Sequence, residues 1–199
     1  YRDERINRIF EGTNEINRLI ISGTTLKKAI MEEIPIRSMI RERKTDWIPN
    51  MNIDNADIQK EGEVIEFSRS FLLFVLNRLI LHYGQDLKNE QWVLEPLANM
   101  IIALSIMDTG FKRIRDLDKK STNLKQKINV VKLSVGNRFK ELVSEGKDIL
   151  GFLKDQDGDN NVTDFVNNQL SKLGYEPNII RLKKRVVTDL YKHKKYYLD

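Results

Sequence analysis

The stretch Ile6-Asn7-Arg8-Ile9-Phe10-Glu11-Gly12-Thr13-Asn14-Glu15-Ile16-Asn17-Arg18-Leu19-Ile20 puts a carboxylate, Glu11, directly before a glycine and the start of a helical pattern. Gly12 permits backbone torsions that other residues avoid, or the close approach of a ligand. The N–H groups of a helix's first turn have no partner within the helix and can hold an anion. A base beside an anion site is one reading of these residues. An ordinary loop leading into a capped helix uses the same ones.

Other chemistries find less support. The chain has no cysteine, which excludes disulfides, thiolate metal sites and a cysteine nucleophile. It fits a reducing compartment. His82 and His193 stand far apart in sequence, and no metal site is expected from them. Asp155-Gln156-Asp157-Gly158-Asp159 resembles the opening of a calcium loop, but Asn160 and Val166 occupy the positions that need glycine and a bidentate glutamate, so a solvated turn is expected. There is no glycine-rich phosphate loop and no nucleophile elbow. Phe67, Phe71 and Phe74 share a helical face with leucines, which reads as core rather than a stacking surface for bases.

The elements that would position Glu11 are helical. Residues 14–34 read as a helix with Ile16, Leu19, Ile20, Leu26, Ala29 and Ile30 inward, Thr13 as N-cap and Pro35 as the stop. Residues 41–62, with Pro49, five Asn or Asp residues between 50 and 57, and no apolar period, read as a linker of about 20 residues and a domain boundary. Two strong helices follow, at about 63–83, stopped by Gly84, and at about 89–108, with Trp92, Leu94, Leu97, Met100, Ile101 and Leu104 inward and Pro96 staggering its start. Further helices are expected at about 124–154 (weakened by Gly136 and Gly146), 162–173 and 178–196. No strand alternation or internal repeat is found, so the fold class is all-α, a helical bundle. Glu66, Arg69 and Arg78 within the most apolar stretch, 64–83, argue against a membrane-spanning helix there.

The net charge of +5 is unevenly spread. Residues 112–140 hold ten basic and two acidic side chains, and residues 181–199 hold seven and two. Such stripes suit a phosphate-bearing ligand, an anionic membrane or nucleic acid, although solvated lysine-rich helix faces give the same composition.

Residues 1–21 resemble the motif that ends the catalytic domain of acyl-CoA dehydrogenases: Arg2-Asp3, then Ile6 and Ile9-Phe10, then Glu11-Gly12-Thr13-Asn14-Glu15-Ile16, then Arg18-Leu19-Ile20. The match is dense and ungapped over about a tenth of the chain. The helical region after it, with Leu94-Glu95-Pro96-Leu97-Ala98, resembles the C-terminal extension of the very-long-chain branch of that family. One departure is Ser22-Gly23, near where many family members carry arginine.

The resemblance implies a set of expectations. The chain, which opens at Tyr1 without a signal or transit segment, is expected to be a C-terminal piece lacking the flavin-binding core. Residues 1–40 would end the catalytic helical domain, 41–62 would join, and 63–199 would form a helical extension. Glu11 would be the catalytic base that takes the proton alpha to the thioester of a fatty acyl-CoA, with apolar Ile9 and Phe10 helping to raise its pKa. Gly12 would lie against the substrate, and Thr13, Asn14 and Glu15 would contact FAD, which accepts a hydride from the beta carbon. Fatty acid beta-oxidation, electron-transfer flavoprotein as acceptor, a homodimer, a peripheral membrane contact, no nucleic acid and a cytoplasmic location complete the expectations. The competing reading is a non-catalytic helical interaction or membrane-association module.

Overall fold

Apolar side chains that recur every three or four residues bury one stripe of a helix and so dictate how helices stack. The computed structural model describes residues 6, 13–43, 47–48, 53, 55–117, 121–157 and 161–193. Among these residues the secondary structure is helical, with no strand: α1 (Asn14–Ile30), α2 (Ile36–Glu42), α3 (Gln59–Tyr83), α4 (Gln91–Arg115), α5 (Leu124–Asp157), α6 (Asn161–Leu173) and α7 (Ile179–His193). The fold is an all-α bundle.

Helix α3 is its axis. Val64, Phe67, Phe71, Val75 and Leu79 are fully buried, and Ile65, Ser68 and Leu76 bury further faces. Helices α4 and α5 pack on it and on each other along much of their lengths, α1 lies on α4, and α7 lies on α5. On α4 the inward stripe is Leu94, Leu97, Ala98, Met100, Ala103, Met107 and Phe111. By length and composition α4 could cross a membrane. Its buried stripe and its packing against α1, α3 and α5 make it a core helix.

Two glycines expected to weaken α5 are where its neighbours come closest. A methyl group on Gly146 would sit 2.5 Å from ring carbons of Phe71 and 3.0 Å from the Met100 terminal carbon. One on Gly136 would meet Ile179 at 2.6 Å and Pro177 at 3.0 Å. The helix runs unbroken for 34 residues through both. Packing against α3, α4 and the start of α7 outweighs the loss of helix propensity, roughly 1 kcal/mol per glycine.

Several elements differ from their sequence-based limits. Helix α1 stops at Ile30, before Pro35, because Glu32 takes a left-handed conformation (φ +59°) and its N–H bonds to the Ala29 carbonyl at 3.3 Å. Helix α4 continues to Arg115, where the spacing predicted an end near 108. Trp92, expected inward, is 87% exposed. It lies in the first turn of α4, ahead of the inward stripe that begins at Val93.

The segment 41–62 is no open linker where it is described. Helix α2 runs into it, Ile58 is fully buried, and the Asn55 side chain accepts the Asp57 N–H at 3.0 Å to start a 3-10 turn over Ala56–Ile58. Trp47 is 2% exposed, with ring centroids 5.4 Å from Phe67, 5.3 Å from Phe74 and 5.3 Å from Phe165. The buried cluster therefore runs from Leu26 to Leu173 across this segment.

Charged side chains cross the helix surfaces beside that core. Arg43 of the turn after α2 donates to Glu66 Oε2 at 2.8 Å, Arg69 pairs with both Glu66 and Asp108, and Lys112 reaches Asp108 at 2.7 Å. Burial pushes the Asp108 carboxyl up, but Lys112 and Arg69 together bring it below the ordinary range.

The two tryptophans should separate cleanly by mutation. Trp47→Ala should cost about 3–5 kcal/mol of stability, as for other buried aromatics, whereas Trp92→Ala should stay within about 0.5 kcal/mol. Equilibrium denaturation of both variants checks this, and equal midpoints would return residues 41–62 to the status of a linker.

Candidate functional site

Of the five residues assigned roles in the sequence, Glu11 and Gly12 lie outside the described residues. The other three form the entrance to α1. Thr13 is the N-cap: its hydroxyl accepts the Ile16 N–H at 3.4 Å, and its carbonyl accepts the Asn17 N–H at 2.9 Å. Asn14 is half-buried and Glu15 is exposed in the first turn, where a carboxylate complements the positive end of the helix.

That entrance is held by contacts further along α1. Arg18 Nε donates to Asn99 Oδ1 of α4 at 2.6 Å, and Asn99 Nδ2 donates to Glu145 Oε1 of α5 at 2.9 Å. Burial raises the Glu145 carboxyl, and the Asn99 bond opposes the rise. Ser22 is fully buried, its hydroxyl donating to the Arg18 carbonyl at 3.0 Å. Leu26 is buried one turn on. The face turned to α4 is thus Leu19, Ser22, Leu26 and Ala29, while Ile16, Ile20 and Ile30, expected inward, are exposed. A side chain at Gly23 would meet open space, so nothing steric demands glycine there.

A second cluster was not legible in the sequence. Glu61 of α3 is 5% exposed, and it lies beside Tyr175 in the turn between α6 and α7. Neither Glu61 Oε2 nor the Tyr175 hydroxyl reaches a partner at hydrogen-bonding geometry. Lys132 Nζ of α5 stands 3.9 Å from Glu61 Oε2. Burial pushes the Glu61 carboxyl up against the pull of Lys132, and burial, then the Glu61 charge, pushes the Tyr175 hydroxyl up as well. These groups line a hollow of about 380 Å³ whose rim includes Arg181 and Arg185. Those arginines also wall a larger cleft, about 610 Å³, between α5 and α7. The basic runs seen in the sequence therefore meet along one groove.

The metal expectations stand apart from both clusters. Among the described residues no group of three or more His, Asp or Glu side chains is placed to hold a metal ion. His82 packs edge-on to Tyr83, and His193 Nδ1 lies 2.8 Å from the Asp189 carbonyl. Asp155, Gln156 and Asp157 of the calcium-like run form the end of α5, and Gly158 and Asp159 lie outside the described residues.

Comparison with known proteins finds a likeness over the whole bundle. The crystal structure of an acyl-CoA dehydrogenase complexed with FAD from Bacillus anthracis superposes on the whole chain with a TM-score of 0.84 at 26% identity. The chain is similar to acyl-CoA dehydrogenases. A protein named Probable acyl-CoA dehydrogenase in Bacillus subtilis (strain 168) is 27% identical over 202 residues, covering 98% of this chain. The chain spans about a third of the length of each of these acyl-CoA dehydrogenases: 33% of the Bacillus subtilis protein and 34% of the Bacillus anthracis one. No family model matches it. The acyl-CoA dehydrogenase likeness read from residues 1–21 thus extends over the chain, including the helices after residue 62.

Glu61 gives a test by pH. Its folded-state pKa is raised, so the native state holds this proton more tightly than the unfolded chain does. Its contribution to stability is therefore full below the ordinary glutamate pKa and is lost as pH rises through the raised value. Glu61→Gln should lessen the decline in stability above that range and leave the variant at least as stable as the parent at neutral pH. Urea melts across the acid-to-neutral range measure it, and a variant markedly weaker at pH 7 would show the charge to be stabilising.

Proposed function

We propose that the chain is the C-terminal portion of a flavin-dependent acyl-CoA dehydrogenase, in which Glu11 is the general base. The observation that carries this reading is a structural likeness to an FAD-complexed acyl-CoA dehydrogenase over the whole chain, together with Glu11-Gly12-Thr13 immediately ahead of α1. Residues 1–40 would belong to the end of the catalytic helical domain and 63–199 to an added helical region. The two would be fused through the packed segment around Trp47 rather than hinged.

The entrance of α1 suits a flavin nucleotide's polar groups. A capped helix N-terminus has backbone donors and a positive dipole end, and Thr13, Asn14 and Glu15 fit as one edge of such a site. When bound, FAD supplies the acceptor for the hydride lost from the beta carbon. The chain's own part is acid–base chemistry. Glu11 would take the proton alpha to the thioester carbonyl, and a backbone N–H donor at that carbonyl oxygen would stabilise the negative charge that develops there. Gly12 leaves room for the substrate to lie against the backbone. Fatty acyl-CoA as substrate, a place in beta-oxidation, electron-transfer flavoprotein as acceptor, a homodimer and a cytoplasmic location belong to this proposal.

In the full-length protein, Glu11→Gln should lower acyl-CoA dehydrogenation by about 10²–10⁴-fold, because the amide cannot accept the proton. The flavin absorbance should be retained. Turnover at the parent's rate by a flavin-loaded variant would overturn the assignment of the base.

A second reading, association with a membrane surface, is favoured by α7 alone. Ile180, Val187, Leu190 and Tyr191 are exposed on one side of that helix, next to Lys183 and Lys184. Under this reading Ile180→Ser with Val187→Ser should abolish co-sedimentation with anionic vesicles, and undiminished co-sedimentation would remove it.

A further inference from the structure

Arg181, Arg185, Thr188 and Lys192 recur at intervals of four, three and four residues along α7 and so share one helix face. Across the cleft α5 presents Lys125 and, one turn later, Asn129. Lys184 completes the lining cations. Among the described residues, Lys125, Arg181, Lys184, Arg185 and Lys192 have no carboxylate within ion-pair distance. Asp189 lines the same cleft without pairing with any of them. Five cations line the cleft, with Asp189 as its one acidic side chain among the described residues, and an anion placed among them would offset their remaining repulsion.

The inner hollow gives the ligand a second requirement. Arg181 and Arg185 line both hollows, so the anion site continues towards Glu61 and Tyr175. Glu61 is more than nine-tenths buried, its Oε2 has Lys132 Nζ no nearer than 3.9 Å, and neither that oxygen nor the neighbouring Tyr175 hydroxyl makes a hydrogen bond of normal geometry. A buried carboxylate oxygen in this state lacks a donor, and leaving it unmade costs stability. The guanidinium forks suit the flat faces of a phosphate, and the floor suits a hydroxyl or amine attached to it.

We propose that the groove between α5, α7 and the α6–α7 turn binds a small phosphate ester bearing a hydroxyl or amino group. Arg181 and Arg185 hold the phosphate, and Glu61 and Tyr175 receive the donor. The site is remote in sequence from Glu11 and does not depend on the dehydrogenase reading.

Calorimetric titration of the 199-residue chain with glycerol 3-phosphate, inorganic phosphate and phosphatidylglycerol vesicles tests the proposal. Glycerol 3-phosphate should saturate one site with a Kd below about 1 mM and bind more tightly than inorganic phosphate. Arg181→Gln with Arg185→Gln should weaken both by about tenfold or more. Lys27→Gln with Lys28→Gln, which removes the same charge from exposed positions on α1, should change neither. Tyr175→Phe should erase the advantage of glycerol 3-phosphate while leaving inorganic phosphate binding intact. Absence of saturation, equal weakening by the two double variants, or binding to vesicles without binding to the free ester would each overturn the proposal.

Discussion

The ring of Phe71 occupies space that α5 leaves open at Gly146, and the Met100 side chain of α4 closes in from the third side. Three long helices meet there at a separation that only glycine allows. Because α3 can come this close, its remaining aromatic residues stack on Trp47, and that indole draws in the chain between α2 and α3 together with Phe165 of α6. The same approach brings α4 and α5 side by side, which lets Asn99 and Glu145 bond. Dense packing of this kind is unforgiving of volume changes, and the buried cluster it belongs to includes residues on both sides of the segment 41–62.

Helix positions were legible because local periodicity follows the backbone geometry. The limits of α3, α5, α6 and α7 lie close to those read from spacing and from Gly84. Periodicity does not say which partner covers a stripe. Ile16, Ile20 and Ile30 form a good apolar pattern, yet α4 covers the adjacent face with Leu19, Ser22 and Leu26. Trp92, expected inward, is exposed for the same reason, and Trp47 in the segment read as a linker is buried. Burial is decided by contacts distant in sequence, and an Asn-rich stretch can still carry one anchoring indole. The glycines of α5 were read through helix propensity alone, where steric room was the larger effect.

The candidate sites show the same division. Thr13 as a cap followed from residue type and position, and its hydroxyl does accept from Ile16. The charge runs at 112–140 and 181–199 were visible as composition, but only the fold sets Lys125 opposite Arg181 and Lys184. Glu61 and Tyr175 gave no signal at all. Each is an unremarkable residue in its own segment, and their meaning comes from being buried together beside Lys132.

The Arg18–Asn99–Glu145 string acts as a register pin. Sliding α1 by one helical turn along α4 would shift its leading end by about 5.4 Å, further than any proton transfer tolerates. An apolar interface of leucines and small residues resists such slippage poorly, whereas a directional polar link has one satisfied position. Where the chain enters α1, and so the alignment of any reactive group there, is thereby dictated by an acidic residue on a helix more than a hundred positions downstream.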